Sequence, residues 1–179
     1  MDSSFDKLAI EENIRSSPIR INHCDREMES ELNVKHIKGL ARWLSNDIVD
    51  YVVQKKKGNC PNLADYYAKN MRLAVDQLLE IYQLQFVNIA EKLSKSDSIC
   101  DSFMACADEL FMDKQYNWGR VFTLYAFAAC LADVYAAKDD GHDLMRKLGE
   151  TLANFVSDNL TDWIRSQGGW VSYLYTIRV

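Results

Sequence analysis

Apolar residues recur at helical spacing through most of the chain, and one segment is apolar on every side. From Val121 to Ala132 the only residue that is not apolar is Thr123. A helix at a protein surface carries a polar face, so this segment predicts a helix that is buried all round. The run is too short for a membrane span, which needs about 20 residues. We therefore expect other helices to pack around this one, which we predict over residues 117–137.

Amphipathic stripes at helical spacing flank this segment on both sides. No stretch shows the sustained alternation of apolar and polar residues that marks a β-strand. The pattern predicts an all-α protein, a bundle of about seven or eight helices around a buried central helix. The stripes cover residues 32–57, Met71–Tyr82, Phe103–Phe111 and Leu144–Val156, followed by a short helix from Asn159 around Trp163 that Gly168 and Gly169 stop.

Composition agrees with one globular domain preceded by an acidic segment. A chain of 179 residues with 48% hydrophobic residues has the size of a single domain and can bury a sizeable core. Residues 1–31 hold eight acidic and four basic residues and show weak periodicity. We expect residues 1–30 to be a mobile acidic N-terminal segment and residues 31–179 to form the helical domain. The net charge of −5 argues against a nucleic-acid partner.

Residues that could carry chemistry show no pattern of a catalytic or metal site. The three histidines are scattered, and the five cysteines lack the paired spacing of a metal site or a disulfide framework. We expect free thiols in a reducing compartment, with Cys106 and Cys130 as small core residues. No nucleotide-binding glycine motif or nucleophile pattern is present, so the sequence predicts neither an enzyme nor a cofactor.

Arg120 stands at the mouth of the predicted central helix. Asn117 is a favoured N-cap residue type, which puts Arg120 in the first turn. A cation there lies at the positive end of the helix dipole, which is mildly unfavourable. Arg120 is either a solvated side chain that tolerates this small cost, or a cation whose planar guanidinium is held for a partner's carboxylate.

Two motifs resemble those of the Bcl-2 family of apoptosis regulators. Glu109-Leu110-Phe111, followed by Asn117-Trp118-Gly119-Arg120, is similar to the first homology motif of the family, and Trp163–Trp170 is similar to the second. The two motifs come in the order and at the separation that the family has. The resemblance implies a Bcl-2-like helical bundle in which the central helix is fifth in order.

Two further segments match the family less closely. Asp47–Val53 resembles the fourth motif, which in the family packs the first helix onto the bundle. Met71–Asp76 resembles the third motif, but Val75 stands where a small residue, usually glycine, is expected. When a third motif acts as a ligand, that residue lies close against a partner's groove, so the extra bulk costs about 1–3 kcal/mol. We expect this motif to form a groove wall rather than to fill another protein's groove.

The resemblance also implies a groove that binds an amphipathic partner helix. The implied walls are Tyr82, Phe86 and Ile89 on one side and Ala107 and Leu110 on the other, with Phe127 at the floor and Asn117, Gly119 and Arg120 at the polar rim. The apolar members could equally be plain core residues, and Gly119 a glycine tolerated in a first turn. In the groove, Gly119 would let a partner helix approach because it has no Cβ, and Arg120 would pair with the partner's aspartate.

The resemblance leaves two functions open. Glu109–Phe111 and the fourth motif resemble pro-survival members, and Val75 disfavours a killer role, so we expect a pro-survival protein that sequesters third-motif helices of pro-apoptotic relatives. The alternative is a Bax/Bak/Bok-like effector that permeabilises the mitochondrial outer membrane, since Leu124–Ala129 resembles the Bok branch. Ala128-Ala129 stands where pro-survival members usually have Gly-Gly, and the segment between Phe111 and Asn117 is one residue longer than in many relatives. A helical scaffold without a working groove is a third interpretation.

Family members usually end in an apolar tail of about 20 residues that enters a membrane. No such run precedes Val179 in this sequence. We expect a cytoplasmic protein that, at full length, attaches to the mitochondrial outer membrane through a C-terminal tail absent here.

Overall fold

A computed structural model describes residues 23–59, 65–93, 98–136 and 141–173. Within these ranges the chain forms six α-helices and one 3₁₀ turn and no strand, which confirms the all-α class. The elements are α1 His23–Lys56, α2 Tyr66–Leu93, α3 Ile99–Leu110, α4 Trp118–Tyr135, α5 Gly141–Asn159, α6 Thr161–Ser166 and the 3₁₀ turn Trp170–Ser172.

The number of α-helices is slightly smaller than the sequence predicts because α2 joins two segments in one element. Tyr82 interrupts it with non-helical backbone angles, φ −114° and ψ 20°. Counted as two helices on either side of this kink, α2 makes the buried helix α4 the fifth in order among the described elements, as the family resemblance implies.

The chain divides into two compact units, Met1–Leu32 and Asn33–Val179. The described part of the first unit is helical from His23, earlier than the apolar stripe predicts. Residues 23–31 are mostly charged or polar, so they carry no apolar periodicity, yet glutamate, arginine and methionine favour helix. The predicted mobile segment, residues 1–30, lies mostly outside the described residues and stays a prediction.

Helix α4 is buried all round, as the sequence predicts. Every residue from Leu124 to Ala132 is buried, and Ala126, Ala128 and Ala129 are fully so. These small side chains leave room for neighbouring helices to approach the α4 backbone closely. Helix α4 is therefore the axis of the second unit, and α2 and α5 pack along it.

Two hydroxyl groups lie inside this apolar core, close to each other and to the Ala41 carbonyl. The Ser45 hydroxyl donates to the Ala41 carbonyl at 2.7 Å and lies 3.3 Å from the Tyr125 hydroxyl. Burial raises the pKa of Tyr125 far above its ordinary value, so its hydroxyl stays protonated. The pair fixes the register of α1 against α4, because an unpaired buried hydroxyl would be costly.

Helix α1 is joined to the first half of α2 by a second, more polar contact. Asp47 accepts two hydrogen bonds from Arg72, from Nε at 2.9 Å and from Nη2 at 2.6 Å. The Tyr51 hydroxyl donates to Asp76 at 2.6 Å, and Lys55 pairs with the other oxygen of Asp76 at 2.8 Å. The fourth-motif segment thus binds the third-motif segment through complementary charges.

Aromatic rings from α4, from α6 and from the chain after α6 form one cluster. The Trp118 ring lies 5.0 Å from Trp163, 5.7 Å from Trp170 and 5.5 Å from Tyr173, centroid to centroid. Trp170 donates from Nε1 to the Ile37 carbonyl at 3.0 Å, and the Tyr173 hydroxyl donates to the Tyr67 carbonyl at 2.6 Å. The chain after α6 is thereby fastened to α1 and α2.

The two tryptophans of the second motif differ in burial. Trp170 is 2% exposed, whereas Trp163 is only partly buried at the edge of the cluster. Gly168 and Gly169 adopt positive φ angles of 89° and 81°, which a residue with a Cβ rarely adopts, and they end α6 as the sequence predicts. In the described ranges no helix combines the length and the apolar character that a membrane crossing requires.

We expect Trp170→Ala to lower the free energy of unfolding by about 3–5 kcal/mol, because it removes a buried ring and the hydrogen bond from its Nε1 to the Ile37 carbonyl. Trp163→Ala should cost clearly less, since that ring is partly solvated. Val171→Ala, at a position 44% exposed, is the control and should change the free energy by less than about 0.5 kcal/mol. Urea denaturation measures all three, and equal losses for the two tryptophans would contradict the difference in burial.

Candidate functional site

The rim begins at the N-terminus of α4, where Asn117 caps the helix. Its backbone is extended and its Oδ1 accepts the backbone N–H of Arg120 at 2.9 Å. This confirms the predicted cap and puts Arg120 in the first turn. Thr123 adds a hydrogen bond from its hydroxyl to the Gly119 carbonyl at 2.9 Å. The rim residues Asn117 and Gly119 are exposed, and Arg120 is partly exposed.

The Arg120 side chain is already engaged within its own chain. Asp113 binds it with both carboxylate oxygens, including a 2.8 Å contact between Nη2 and Oδ2. Nη1 also donates to the carbonyls of Leu110 at 3.1 Å and Gln115 at 2.9 Å. The guanidinium is therefore held in one orientation before any partner arrives.

Backbone geometry in the loop between α3 and α4 brings these acceptors together. Lys114 adopts φ 55°, in the left-handed region that residues other than glycine rarely occupy. Its N–H donates to the Phe111 carbonyl at 2.9 Å, and the Gln115 N–H donates to Asp113 at 3.0 Å. The extra residue noted in this loop belongs to the segment that folds back on Arg120.

Charge pairing lowers the pKa of Asp113 to about 2, chiefly through the hydrogen bond from Arg120 and also through the Gln115 N–H. The same pairing raises the pKa of Arg120. Both groups are ionised at neutral pH. Sequence reasoning missed Asp113, and the only available signal was an acidic residue in a loop next to a conspicuous arginine.

One edge of the Arg120 guanidinium is left open. Asp113 occupies the edge formed by Nη1 and Nη2, and the carbonyls of Leu110 and Gln115 take up Nη1. Among the described residues no acceptor meets Nε or the second hydrogen of Nη2. These two N–H groups lie side by side and match the spacing of a carboxylate. This edge is therefore the part of the guanidinium that Asp113 leaves available for a further hydrogen bond.

The structure gives a reason for glycine at position 119 that the sequence did not reveal. A Cβ at this position would lie 3.2 Å from Oδ1 of Asn117, which is tighter than most real contacts. A larger residue would therefore disturb the cap of α4 as well as any approaching ligand. Glycine at this position therefore keeps the Asn117 cap undisturbed, and it also leaves the rim without a protruding side chain.

The apolar side of the site is formed by the second half of α2, by α3 and by α4. Phe127 on α4 stacks on Phe86 from α2, with centroids 6.1 Å apart, and on Phe103 from α3 at 5.9 Å. Phe86 and Phe127 are 7% and 6% exposed, and Ala107 is fully buried. Three predicted groove residues thus lie in the core, and one ring from α2 and one from α3 pack on Phe127 at the predicted floor.

Other predicted wall residues face solvent. Tyr82 is 46% exposed and touches Phe86 edge to face, Ile89 is 41% exposed, and Leu110 is partly buried. The structure adds large exposed apolar side chains that the sequence analysis did not select. These are Ile81 and Leu84 on α2, and Met112 in the loop before α4. Exposed apolar residues are typical of a docking surface, so the exposed part of α2 that carries Tyr82 and Ile89 is the candidate wall.

Comparison with known proteins supplies the context for this arrangement. Residues 71–170 match the family described as apoptosis regulator proteins, Bcl-2 family. The chain is 25% identical over 135 residues to Bcl-2-related protein A1 of Bos taurus, covering 74% of this chain and 77% of that protein. It is 30% identical over 157 residues to Bcl-2-related ovarian killer protein of Gallus gallus, covering 82% and 72%.

A solved structure shares the fold. The zebra-fish pro-survival protein NRZ in complex with Bad BH3 superposes with a TM-score of 0.71. The sequences are 19% identical, and the match covers 81% of this chain and 97% of that one. At this identity the likeness concerns the fold alone.

The ion pair at the rim predicts how Asp113 titrates. Its folded pKa lies below its ordinary value, so the pair's contribution is complete above about pH 4 and is lost as the pH falls through about 2. In Arg120→Gln the Asp113 pKa should rise toward its ordinary value. NMR titration of the side-chain carboxyl carbon measures this, with Arg146→Gln as a control that leaves Asp113 unchanged. An ordinary pKa for Asp113 in the unaltered protein would contradict the pairing.

Proposed function

The chain belongs to the Bcl-2 family of apoptosis regulators, and on that premise we propose that it restrains cell death by binding third-motif helices of pro-apoptotic relatives. The binding site is a groove between the second half of α2 and α3, with the N-terminus of α4 at its rim. The partner is an amphipathic helix that lays apolar residues spaced by three or four into the groove.

The observation that carries this proposal is that, among the described residues, one edge of Arg120 meets no acceptor while the second half of α2 exposes apolar side chains. Asp113 and two carbonyls hold the guanidinium fixed, so a partner's aspartate meets a preorganised cation. Preorganisation lowers the entropy lost on binding. Tyr82 and Ile89 are 46% and 41% exposed and offer apolar surface to a partner helix. The apolar contacts supply most of the affinity, and the charge pair sets the register of the bound helix.

Binding requires the aromatic stack to open. Phe86 and Phe103 cover Phe127 from the two walls, so apolar side chains of the partner must take the place of one of these rings. The kink at Tyr82 lies four residues before Phe86 and is the point about which the segment would turn. Movement of this segment exposes Phe127 as the floor of the groove.

The chain's own third motif supports a receptor role. Met71 and Val75 are fully buried, and Asp76 is bound by Tyr51 and Lys55 of α1. The residues that a ligand helix would present are thus committed to this protein's own core and to α1. Val75 adds bulk where a ligand needs a small residue.

The alternative is an effector that permeabilises the mitochondrial outer membrane. Its support is the similarity to the ovarian killer protein over 82% of the chain, together with alanines at positions 128 and 129. In this function the apolar helix α4 would enter lipid. Either function fits a cytoplasmic protein that associates with the mitochondrial outer membrane.

We expect Arg120→Gln to weaken binding of a peptide with a complete third motif by about ten- to a hundredfold. The variant removes the partner of the peptide's aspartate and leaves Asp113 to repel it. The double variant Arg120→Gln with Asp113→Asn should recover part of the affinity, because the repulsion is gone. Isothermal calorimetry measures the three affinities.

Arg146→Gln is the matched control for this experiment. Arg146 pairs with Asp143 and Glu150 on the exposed side of α5, where it lies near Asn46 and Asp50 of α1. Its replacement should leave peptide affinity unchanged. Equal affinities for Arg120→Gln and the unaltered protein would remove Arg120 from the site.

A peptide spanning residues 66–86 tests whether the chain acts as receptor or ligand. It should bind pro-survival relatives weakly, and Val75→Gly in the peptide should tighten binding by about 1–3 kcal/mol, because the bulk at the closest contact is removed. The exchange is made in the peptide alone, since in the folded protein it would leave a cavity.

Liposome dye release distinguishes the pro-survival function from the effector function. The full-length protein mixed with a foreign third-motif peptide should keep liposomes sealed. Dye release under these conditions, without another effector, would overturn the pro-survival assignment and establish the alternative. A tight-binding residues 66–86 peptide would contradict the argument from Val75.

A further inference from the structure

A cavity of about 660 Å³ lies behind the candidate groove wall. It is bounded by the C-terminal part of α1, by α2 around its kink and by the C-terminal part of α4. Its apolar surface is formed by Val52, Leu79, Val87 and Cys130. This volume is in the range of pockets that bind small molecules. Cys130 offers no covalent chemistry here, since burial raises the pKa of its thiol to about 11.

Charged groups at the mouth of the cavity leave one carboxylate unmatched. Lys55 pairs with Asp76 at 2.8 Å, and Lys56 pairs with Asp133 at 3.0 Å. Glu80 also lines the cavity, is exposed, and meets no cation in the ranges that the structure describes. The mouth therefore carries one net negative charge above an apolar floor. A molecule with an apolar body and a positively charged head matches both features.

The cavity and the groove lie on two flanks of the same helical segment. After the kink, Phe86 and Ala90 mark the buried line of α2. Each residue turns the helix by about 100°, so Val87 and Ile89 project to opposite sides of that line. Val87 lines the cavity, and Ile89 belongs to the exposed groove wall. The segment Gln83–Leu93 thus separates the two sites.

We propose that this cavity is a regulatory binding site for a small apolar molecule with a cationic head, and that its occupancy keeps the groove closed. The coupling rests on the groove function proposed above. Opening the groove moves Phe86 away from Phe127, and the empty cavity gives the Gln83–Leu93 segment space to shift sideways. A molecule against Val87 fills that space and holds Phe86 on its stack.

Binding at the cavity is measured first, without any groove ligand. The probe is hexylammonium, with hexanol and hexanoate as neutral and anionic analogues of the same length. NMR of methyl groups should show shifts at Val52, Leu79 and Val87, and the ammonium should bind most tightly. Glu80→Gln should weaken ammonium binding by about two- to fivefold and leave hexanol binding unchanged. Absence of ammonium-induced shifts, or tighter binding of hexanoate, would overturn the site.

Coupling is measured by the affinity of a third-motif peptide. A saturating concentration of hexylammonium should weaken peptide binding by about tenfold. Val87→Trp, which places a larger, tethered side chain in part of the cavity, should weaken it similarly and reduce its sensitivity to the ammonium. Val171→Trp places the same side chain at an exposed position on the 3₁₀ turn and serves as the control. The competition with ammonium keeps the test valid where Val87→Trp fails to fold.

The outcomes separate this inference from the groove function. Peptide binding that neither the ammonium nor Val87→Trp alters would overturn the coupling and leave the groove function standing. A protein that binds no third-motif peptide would overturn the groove function, and the coupling with it. Methyl shifts caused by the ammonium would in that case still support the cavity as a binding site.

Discussion

Burial of α4 on all sides is the constraint on which the rest of the second unit depends. A helix without a polar face is stable in water only when other helices cover it completely. Small residues such as Ala126 and Ala129 let the covering helices come close, and Tyr125 is the one ring in this stretch whose hydroxyl must find a buried partner. Ser45 on α1 meets that need, which fixes one covering helix in position. The site follows from this plan, because α4 is buried along its middle and reaches solvent near its ends, and the rim lies at its N-terminal end.

Polar contacts sort the two halves of α2 into different roles. Arg72 and Asp76, in the first half, are bound by Asp47, Tyr51 and Lys55, so this half is fastened to α1. The second half, beyond the kink, relies on Phe86 and Ala90 for its packing and carries exposed apolar residues. Segments held by few buried contacts are the ones that move most readily in folded proteins. The first half of α2 is thus the fixed part of this helix, and the second half is the part that can adapt.

The sequence predicted the parts of this structure that depend on local pattern. The burial of Val121–Ala132, the cap at Asn117 and the stop at Gly168-Gly169 each follow from residue type and spacing, and the structure confirms them. The Arg120–Asp113 pair and the contact of Phe86 with Phe127 depend on how a loop folds back and how two helices approach. Periodicity cannot distinguish a buried groove floor from a core residue, since both are apolar at the same spacing. The charged start of α1 was missed for the opposite reason, because it has no apolar stripe.

The aromatic cluster around Trp118 also gives its three tryptophans a spectroscopic environment different from that of Trp43. Trp118 lies within van der Waals reach of both Trp163 and Trp170, so excitation of any of these indoles is shared among close neighbours in a chiral arrangement. Their near-ultraviolet circular dichroism therefore reports on how α4 and α6 meet. Trp43 on α1 is 38% exposed and has no ring contact of this kind among the described residues. Its emission reports on α1 alone, and the protein carries separate spectroscopic markers for its central packing and for its outer helix.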